Sequence, residues 1–214
     1  MKGIAKFAWL LLLAMMSCGA HAQQAVKSLP WSFGVGVGGF DPDDGAGQLK
    51  NQSGQYSLAL DATYRYSNYL SFAFDIFANE QRFDTPPTVT APFFGTVDGR
   101  ARISGGGFNA VAKFGIPMGR MEPYVGAALG LYFNSMIVTG SVFGLPARAE
   151  EQDSGLGEQF LAGVNFRIAD YWALGVEYRR TFLKADFGSL SDGEVDIGGD
   201  SVMATLRYGA DPGK

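Results

Sequence analysis

The sequence predicts an all-β chain that closes as an eight-stranded, antiparallel, up-and-down transmembrane β-barrel, and three observations carry that expectation. The first is the stretch from Glu158 to Phe182, which reads as two strands around a turn of about three residues at Ala169-Asp170-Tyr171. Phe160, Ala162, Val164, Phe166, Ile168, Trp172, Leu174, Val176 and Tyr178 share one face; Gln159, Leu161, Gly163, Asn165, Arg167, Ala173, Gly175, Glu177 and Arg179 share the other. A period of two, greasy on one side and small or charged on the other, suits a wall between lipid and a polar lumen. The second is that no apolar run reaches eighteen residues, so no helix can span a bilayer. The third is that eight such strands are joined alternately by turns of about two to five residues and by connections of about 14 to 23 residues.

The N-terminus reads as an export signal over 1–22. Lys2 and Lys6 give the charged end, Phe7 to Met16 the apolar centre, and Ala20-His21-Ala22 a small-x-small cleavage site. The alternative is a lipobox ending at Cys18, for which Met15-Met16-Ser17 is a poor match to the usual Leu-Ala-Gly type. Cleavage removes the chain's one cysteine and one histidine and leaves 23–214 as a single barrel domain. The mature net charge, about −6, argues against nucleic acid as a partner.

Strand one spans about Pro30–Phe40, with Trp31, Phe33, Val35 and Val37 on the lipid face and Ser32, Gly34, Gly36 and Gly38 opposite. Its glycine spacing could suggest a dinucleotide loop, but no helix pattern follows and the glycines alternate with valines. Strand two is about Gln55–Tyr66, strand three Tyr69–Asn79, strand four Ser104–Ile116 and strand five Glu122–Asn134. Met136–Val142 is a candidate extension of strand five. The Glu158–Phe182 hairpin supplies strands six and seven, and Ser201–Tyr208 the eighth. The long connections are Asp41–Gly54, Glu80–Ile103, Ser135–Leu156 and Lys184–Asp200. By the one-sided rule of such barrels, the short turns are periplasmic and the long loops extracellular.

Charged residues on the lumen phase fall into two sets. Asp61, Asp75, Lys113, Glu177 and Arg179 count to mid-barrel, and Arg65, Arg167 and Arg207 to the periplasmic end. Eight strands leave an interior just wide enough for side chains, so the first expectation is a packed, ion-paired lumen. The alternative is a narrow pore gated by exchange of ion-pair partners. Trp31, Tyr64, Phe114, Phe166, Trp172 and Tyr208 are placed in an aromatic girdle near the turns, with Tyr56, Phe108, Phe133, Phe160 and Phe182 in a second near the loops. A soluble lipocalin-like barrel would show the same alternation with the faces exchanged, but the bulky aromatics would overfill its interior.

GVNFRI, a short Asp-containing turn and WALGVEYR, together with the earlier PYVGAALGL, resemble the small bacterial outer-membrane barrels of the OmpA, OmpX, OmpW and opacity type. The resemblance is close in wording for about 40 residues and extends in pattern over most of the mature chain. It implies residence in the outer membrane of a Gram-negative bacterium, in contact with lipid and lipopolysaccharide. It further implies insertion by the barrel-assembly machinery through the last strand, whose Leu206-x-Tyr208 resembles the terminal aromatic signal although six residues follow. The leading functional expectation is a structural or surface-interacting role in adhesion or envelope integrity. Next is a narrow channel for ions or small hydrophobic solutes, and last a histidine-independent lipid-modifying enzyme. The deacylases and palmitoyl transferases of such barrels use a histidine, which the mature chain lacks. No catalytic residue, cofactor or metal is assigned, and the chain is read as not an enzyme. Asp186, Asp192, Glu194, Asp196 and Asp200 form an acidic loop without the spacing of a helix–loop–helix calcium site. Arg180 is placed at the external rim, where lipopolysaccharide phosphates lie, or as a snorkelling interface residue. Phe93-Phe94 and Met136–Leu145 are candidate contacts for an external partner.

Overall fold

The computed structural model describes residues 31–42, 55–83, 90–91, 95–96, 98–142, 145–188 and 194–209. The signal segment with Cys18 and His21, the pair Phe93-Phe94 and the residue Asp192 lie outside them. Twelve strands are described: β1 (Trp31–Pro42), β2 (Tyr56–Arg65), β3 (Leu70–Phe83), β4 (Thr90–Ala91), β5 (Gly95–Thr96), β6 (Asp98–Gly115), β7 (Met121–Val142), β8 (Leu145–Ala169), β9 (Trp172–Phe182), β10 (Lys184–Asp186), β11 (Glu194–Asp196) and β12 (Gly199–Tyr208). Eight of them close into a barrel in the order β1-β12-β9-β8-β7-β6-β3-β2, every pair antiparallel. The other four form two small hairpins, β4–β5 and β10–β11.

Closure is made by β1 against β12, from Phe33 opposite Tyr208 to Pro42 opposite Gly199. With that seam paired, the wall presents no open edge to lipid, which offers no hydrogen-bond partner of its own. The faces sort by chemistry. Phe33 is 57% exposed, Phe74 53% and Leu129 65%, while Asp75 and Glu177 are each 1% exposed. Grease outside and charge inside is the reverse of a soluble ligand-binding barrel.

Aromatic rings cluster on the outer surface at both ends. Trp31 packs on Tyr64 (5.2 Å between centroids), Trp172 on Tyr208 (5.1 Å) and Tyr69 on Phe114 (6.1 Å) near the turns. Phe108 meets Phe133 (6.3 Å) and Phe160 meets Phe182 (5.9 Å) near the loops. The turns themselves are tight. Ser67 Oγ accepts from Leu70 N (3.0 Å), and Gly119, at φ 64°, provides the left-handed residue between the paired Met118 and Met121. At the β8–β9 turn, Ala169 pairs with Trp172 past a register shift between Arg167 and Ala169. The turn is therefore Asp170-Tyr171, with Ala169 in the ladder rather than in the turn.

The long connections are the main correction to the sequence reading. β3 runs on to Phe83 and β6 begins at Asp98, so much of Glu80–Ile103 is wall. Met136–Val142 does extend strand five, and the part not expected is the return arm, Leu145–Leu156, which pairs with it from Val142 opposite Leu145. Lys184–Asp200 contains the β10–β11 hairpin, with Lys184 opposite Asp196. Beyond the girdle the outward residues turn polar, as Ser135, Thr139 and Ser141 do, and a search for greasy outward residues stops there. The strands continue because their inward residues, Ile103, Met136 and Val138, remain buried.

Adjacent glycines in β1 make a test of this geometry. A Cβ at Gly38 would lie 1.9 Å from the Val202 carbonyl oxygen, whereas one at Gly39 meets nothing within 4 Å. Gly38→Ala is expected to destabilise the folded barrel by about 1–3 kcal/mol, and Gly39→Ala to stay within about 0.5 kcal/mol of the parent. Urea midpoints in detergent micelles, read from heat-modifiable gel migration, check both; equal midpoints would refute the close β1–β12 approach.

Candidate functional site

Three levels of the lumen differ in chemistry, and the alternation of each strand delivers them. At mid-barrel, β3, β6, β8 and β9 turn Asp75, Asn109, Lys113, Gln159, Glu177 and Arg179 inward, all buried. Glu177 collects three donors: Tyr124 Oη at 2.6 Å, Arg179 Nε at 2.6 Å and Lys113 Nζ at 3.4 Å. Arg179 bridges onward to Asp75, which accepts from Asn109 Nδ2 at 2.8 Å; Asn109 also donates to Gln159 at 3.2 Å. Two carboxylates and two cations are thus matched in one plate across the lumen. Charge taken out of bulk water is tolerable only when paired and hydrogen-bonded in this way.

Asp61 does not join that plate, although its count from the turn places it at mid-barrel. Its carboxylate accepts from both terminal nitrogens of Arg207, Nη1 at 2.6 Å and Nη2 at 3.0 Å, and from the Thr63 hydroxyl at 2.7 Å. The two residues stand on β2 and β12, on either side of β1, where Gly34 is the register partner of both. A Cβ at Gly34 would sit 2.2 Å from Asp61 Oδ2 and 3.2 Å from Arg207 Nη2. Gly34 is therefore the gap through which the pair meets. That gives part of the glycine run in β1 a steric reason unrelated to nucleotides.

The remaining arginines assigned to the turn end separate. Arg65 makes a bidentate bond to Glu122 (2.7 and 2.8 Å), a partner that sequence reasoning left out. Arg167 lines a cavity at this end together with Arg65, Lys113, Arg120, Glu122 and Arg207. Arg180 faces outward at the loop end, paired with Asp200 (3.1 Å) and 5.4 Å from the Phe182 ring centroid.

The loop-end half of the lumen holds an apolar plug that sequence reasoning missed. Ala59, Phe77, Tyr132 and Met203 from the wall pack with Ile103, Met136 and Val138 from the extended strands. Leu183, Ala185, Phe187 and Ile197, on and beside the β10–β11 hairpin, complete the cluster from above. Phe77 and Tyr132 meet at 4.8 Å between ring centroids. The signal was available: the inward phase of β9, through Glu177, Arg179 and Thr181, continues as Leu183, Ala185 and Phe187. The segment's five acids draw attention to charge and away from that row. At the rim, Glu80 takes bonds from Tyr56 (2.6 Å), Arg82 (2.6 Å) and Arg102. Among the described residues no three His, Cys, Asp or Glu side chains gather where they could hold a metal.

Arg207→Met strands the Asp61 carboxylate without its counter-charge and is expected to cost about 3–5 kcal/mol. Adding Asp61→Asn in the same chain should recover more than half of that loss. A double-mutant cycle on urea unfolding in micelles measures the coupling; additive costs would show that the pair carries no interaction energy.

A family model described as the outer membrane protein beta-barrel domain matches residues 10–208. No curated relative matches. Among solved structures, the chain is similar to Neisserial surface protein A, at 16% identity and a TM-score of 0.54, covering 85% of this chain and 97% of that one. The attachment invasion locus protein Ail of Yersinia pestis, in complex with the heparin analogue sucrose octasulfate, aligns at 16% identity and a TM-score of 0.46, covering 83% and 96%. The outer membrane protein OprG from Pseudomonas aeruginosa aligns at 12% identity and a TM-score of 0.47, covering 86% and 98%. An eight-stranded closed wall, apolar outside and ion-paired within, and a match over nearly the whole chain lead to one conclusion: the chain belongs to the outer membrane protein beta-barrel domain family.

Proposed function

We propose that this outer-membrane barrel is a non-enzymatic surface-interaction protein that works through the sheet it raises above the membrane, and not through its lumen. One observation carries the reading: the interior is filled at mid-barrel by the matched charge plate and above it by the apolar plug, while β6, β7 and β8 run on past the girdle. β7 continues nine residues beyond Phe133, roughly 30 Å of strand at about 3.3 Å per residue. Its ladder with β6 persists to Ser141 opposite Asp98, and its ladder with β8 to Val142 opposite Leu145.

Among the described strands, the far edge of β8 has no partner at its outer end. β9 pairs with β8 only as far as Glu158 opposite Phe182, so Leu145–Glu150 pairs with β7 alone among the described strands. An exposed strand edge is a template for an added strand from another chain. Arg148 donates to Glu150 (3.0 Å) on this segment, and that bond holds the Glu150 carboxyl below its ordinary range. Leu145, 71% exposed, adds an apolar contact at the tip.

Two measurements test the reading together. The full-length protein in planar bilayers should give a flat current trace, and cells displaying it should be retained on surfaces coated with host-matrix protein. Deleting 139–148, which removes paired residues from both arms, should abolish retention while the barrel still migrates as a folded species on unheated gels. Stepwise single-channel conductance, or retention unchanged by the deletion, would overturn the proposal.

A further inference from the structure

The turn end of the lumen is built differently from the two levels above it: it is hollow and carries excess positive charge. A cavity of about 80 Å³ lies between the charge plate and the turns. Its ionisable lining comprises Arg65, Lys113, Arg120, Arg167 and Arg207 against one acid, Glu122. Three of the cations are already neutralised, Arg65 by Glu122, Lys113 by Glu177 and Arg207 by Asp61. Arg120 and Arg167 have no carboxylate within ion-pair distance among the described residues. Their backbones are held side by side, because Arg167 N donates to the Arg120 carbonyl at 2.8 Å. The buried charges of this lumen are matched among the described residues, so two arginines without a carboxylate on one cavity are a departure from the pattern.

We propose that this cavity is a binding site for a phosphate group presented from the periplasmic side. Guanidinium forks match the oxygen pairs of a tetrahedral oxyanion, and two of them supply the charge it needs. The hydroxyls of Ser32 and Ser71 also line the cavity and offer donors from other directions. A second, independent feature points to an absent acceptor. Arg207, which lines the cavity and is buried to within a few per cent, leaves its Nε–H with no partner. Buried polar atoms are rarely left unsatisfied without a reason. The volume admits a single small group and no extended ligand. The site is separate from the raised sheet and does not depend on the surface-interaction reading.

The phosphate could come from a soluble ion or from the headgroup of an inner-leaflet lipid, and the experiment separates them. The full chain is folded in sugar-headgroup detergent without phosphate and titrated calorimetrically with inorganic phosphate and, separately, with short-chain phosphatidylglycerol. Saturable one-to-one binding is expected, weakening as NaCl is raised. Tighter binding of inorganic phosphate identifies a soluble source, and tighter binding of the lipid a headgroup. Arg120→Gln with Arg167→Gln should weaken the preferred ligand at least about tenfold. Arg148→Gln, on the external hairpin, should leave it unchanged. Heat-modifiable migration verifies folding, and Arg120→Gln alone, on an exposed turn, gives the same reading should the double variant fail to fold. No saturable binding of either probe, or binding indifferent to the arginine changes, would overturn the site.

Discussion

Ion pairing across a narrow, low-dielectric interior is the interaction on which the rest of this structure depends. Eight strands enclose room for side chains and little else, so what the lumen phase contributes must fit, and its buried charges must be matched. Glu177, held by Tyr124, Arg179 and Lys113, and Asp75, held by Arg179 and Asn109, tie β3, β6, β7 and β9 to one another across the cavity. Asp61 and Arg207 tie β2 to β12 across β1. These cross-links fix register as well as charge. Slipping one strand by a single residue would turn its charges into lipid and its aliphatic row into the lumen.

The lumen changes character from one end to the other: basic and hollow at the turns, matched charge in the middle, apolar at the loops. Each level excludes what the next admits. Ions that enter among the arginines meet the charge plate, and nothing in the apolar level above replaces their hydration.

Much of the architecture was legible because a strand between lipid and a polar lumen alternates greasy and polar residues along its whole length. The alternation through Phe160–Ile168 and Trp172–Tyr178 identified the wall, and the parity of Asp75, Lys113, Glu177 and Arg179 placed them inside. What the sequence hid has a common cause. Once strands leave the membrane the outward face need not be greasy, so β6, β7 and β8 looked shorter than they are. Which charges pair was hidden too. Asp61 prefers Arg207 because strand stagger and the missing side chain at Gly34 bring them together, and neither is visible in residue counts. Glu122 was passed over because it sits at a turn, where solvated acids are ordinary.

The seam between β1 and β12 joins residues separated by nearly the whole chain, Phe33 with Tyr208 and Gly34 with Arg207. None of its hydrogen bonds can form until the last strand has been synthesised and delivered, and closing so long a loop is entropically slow. Until that seam closes, the sheet is an open ribbon with two unpaired rims. Such rims are templates for pairing with other chains for as long as they stay open.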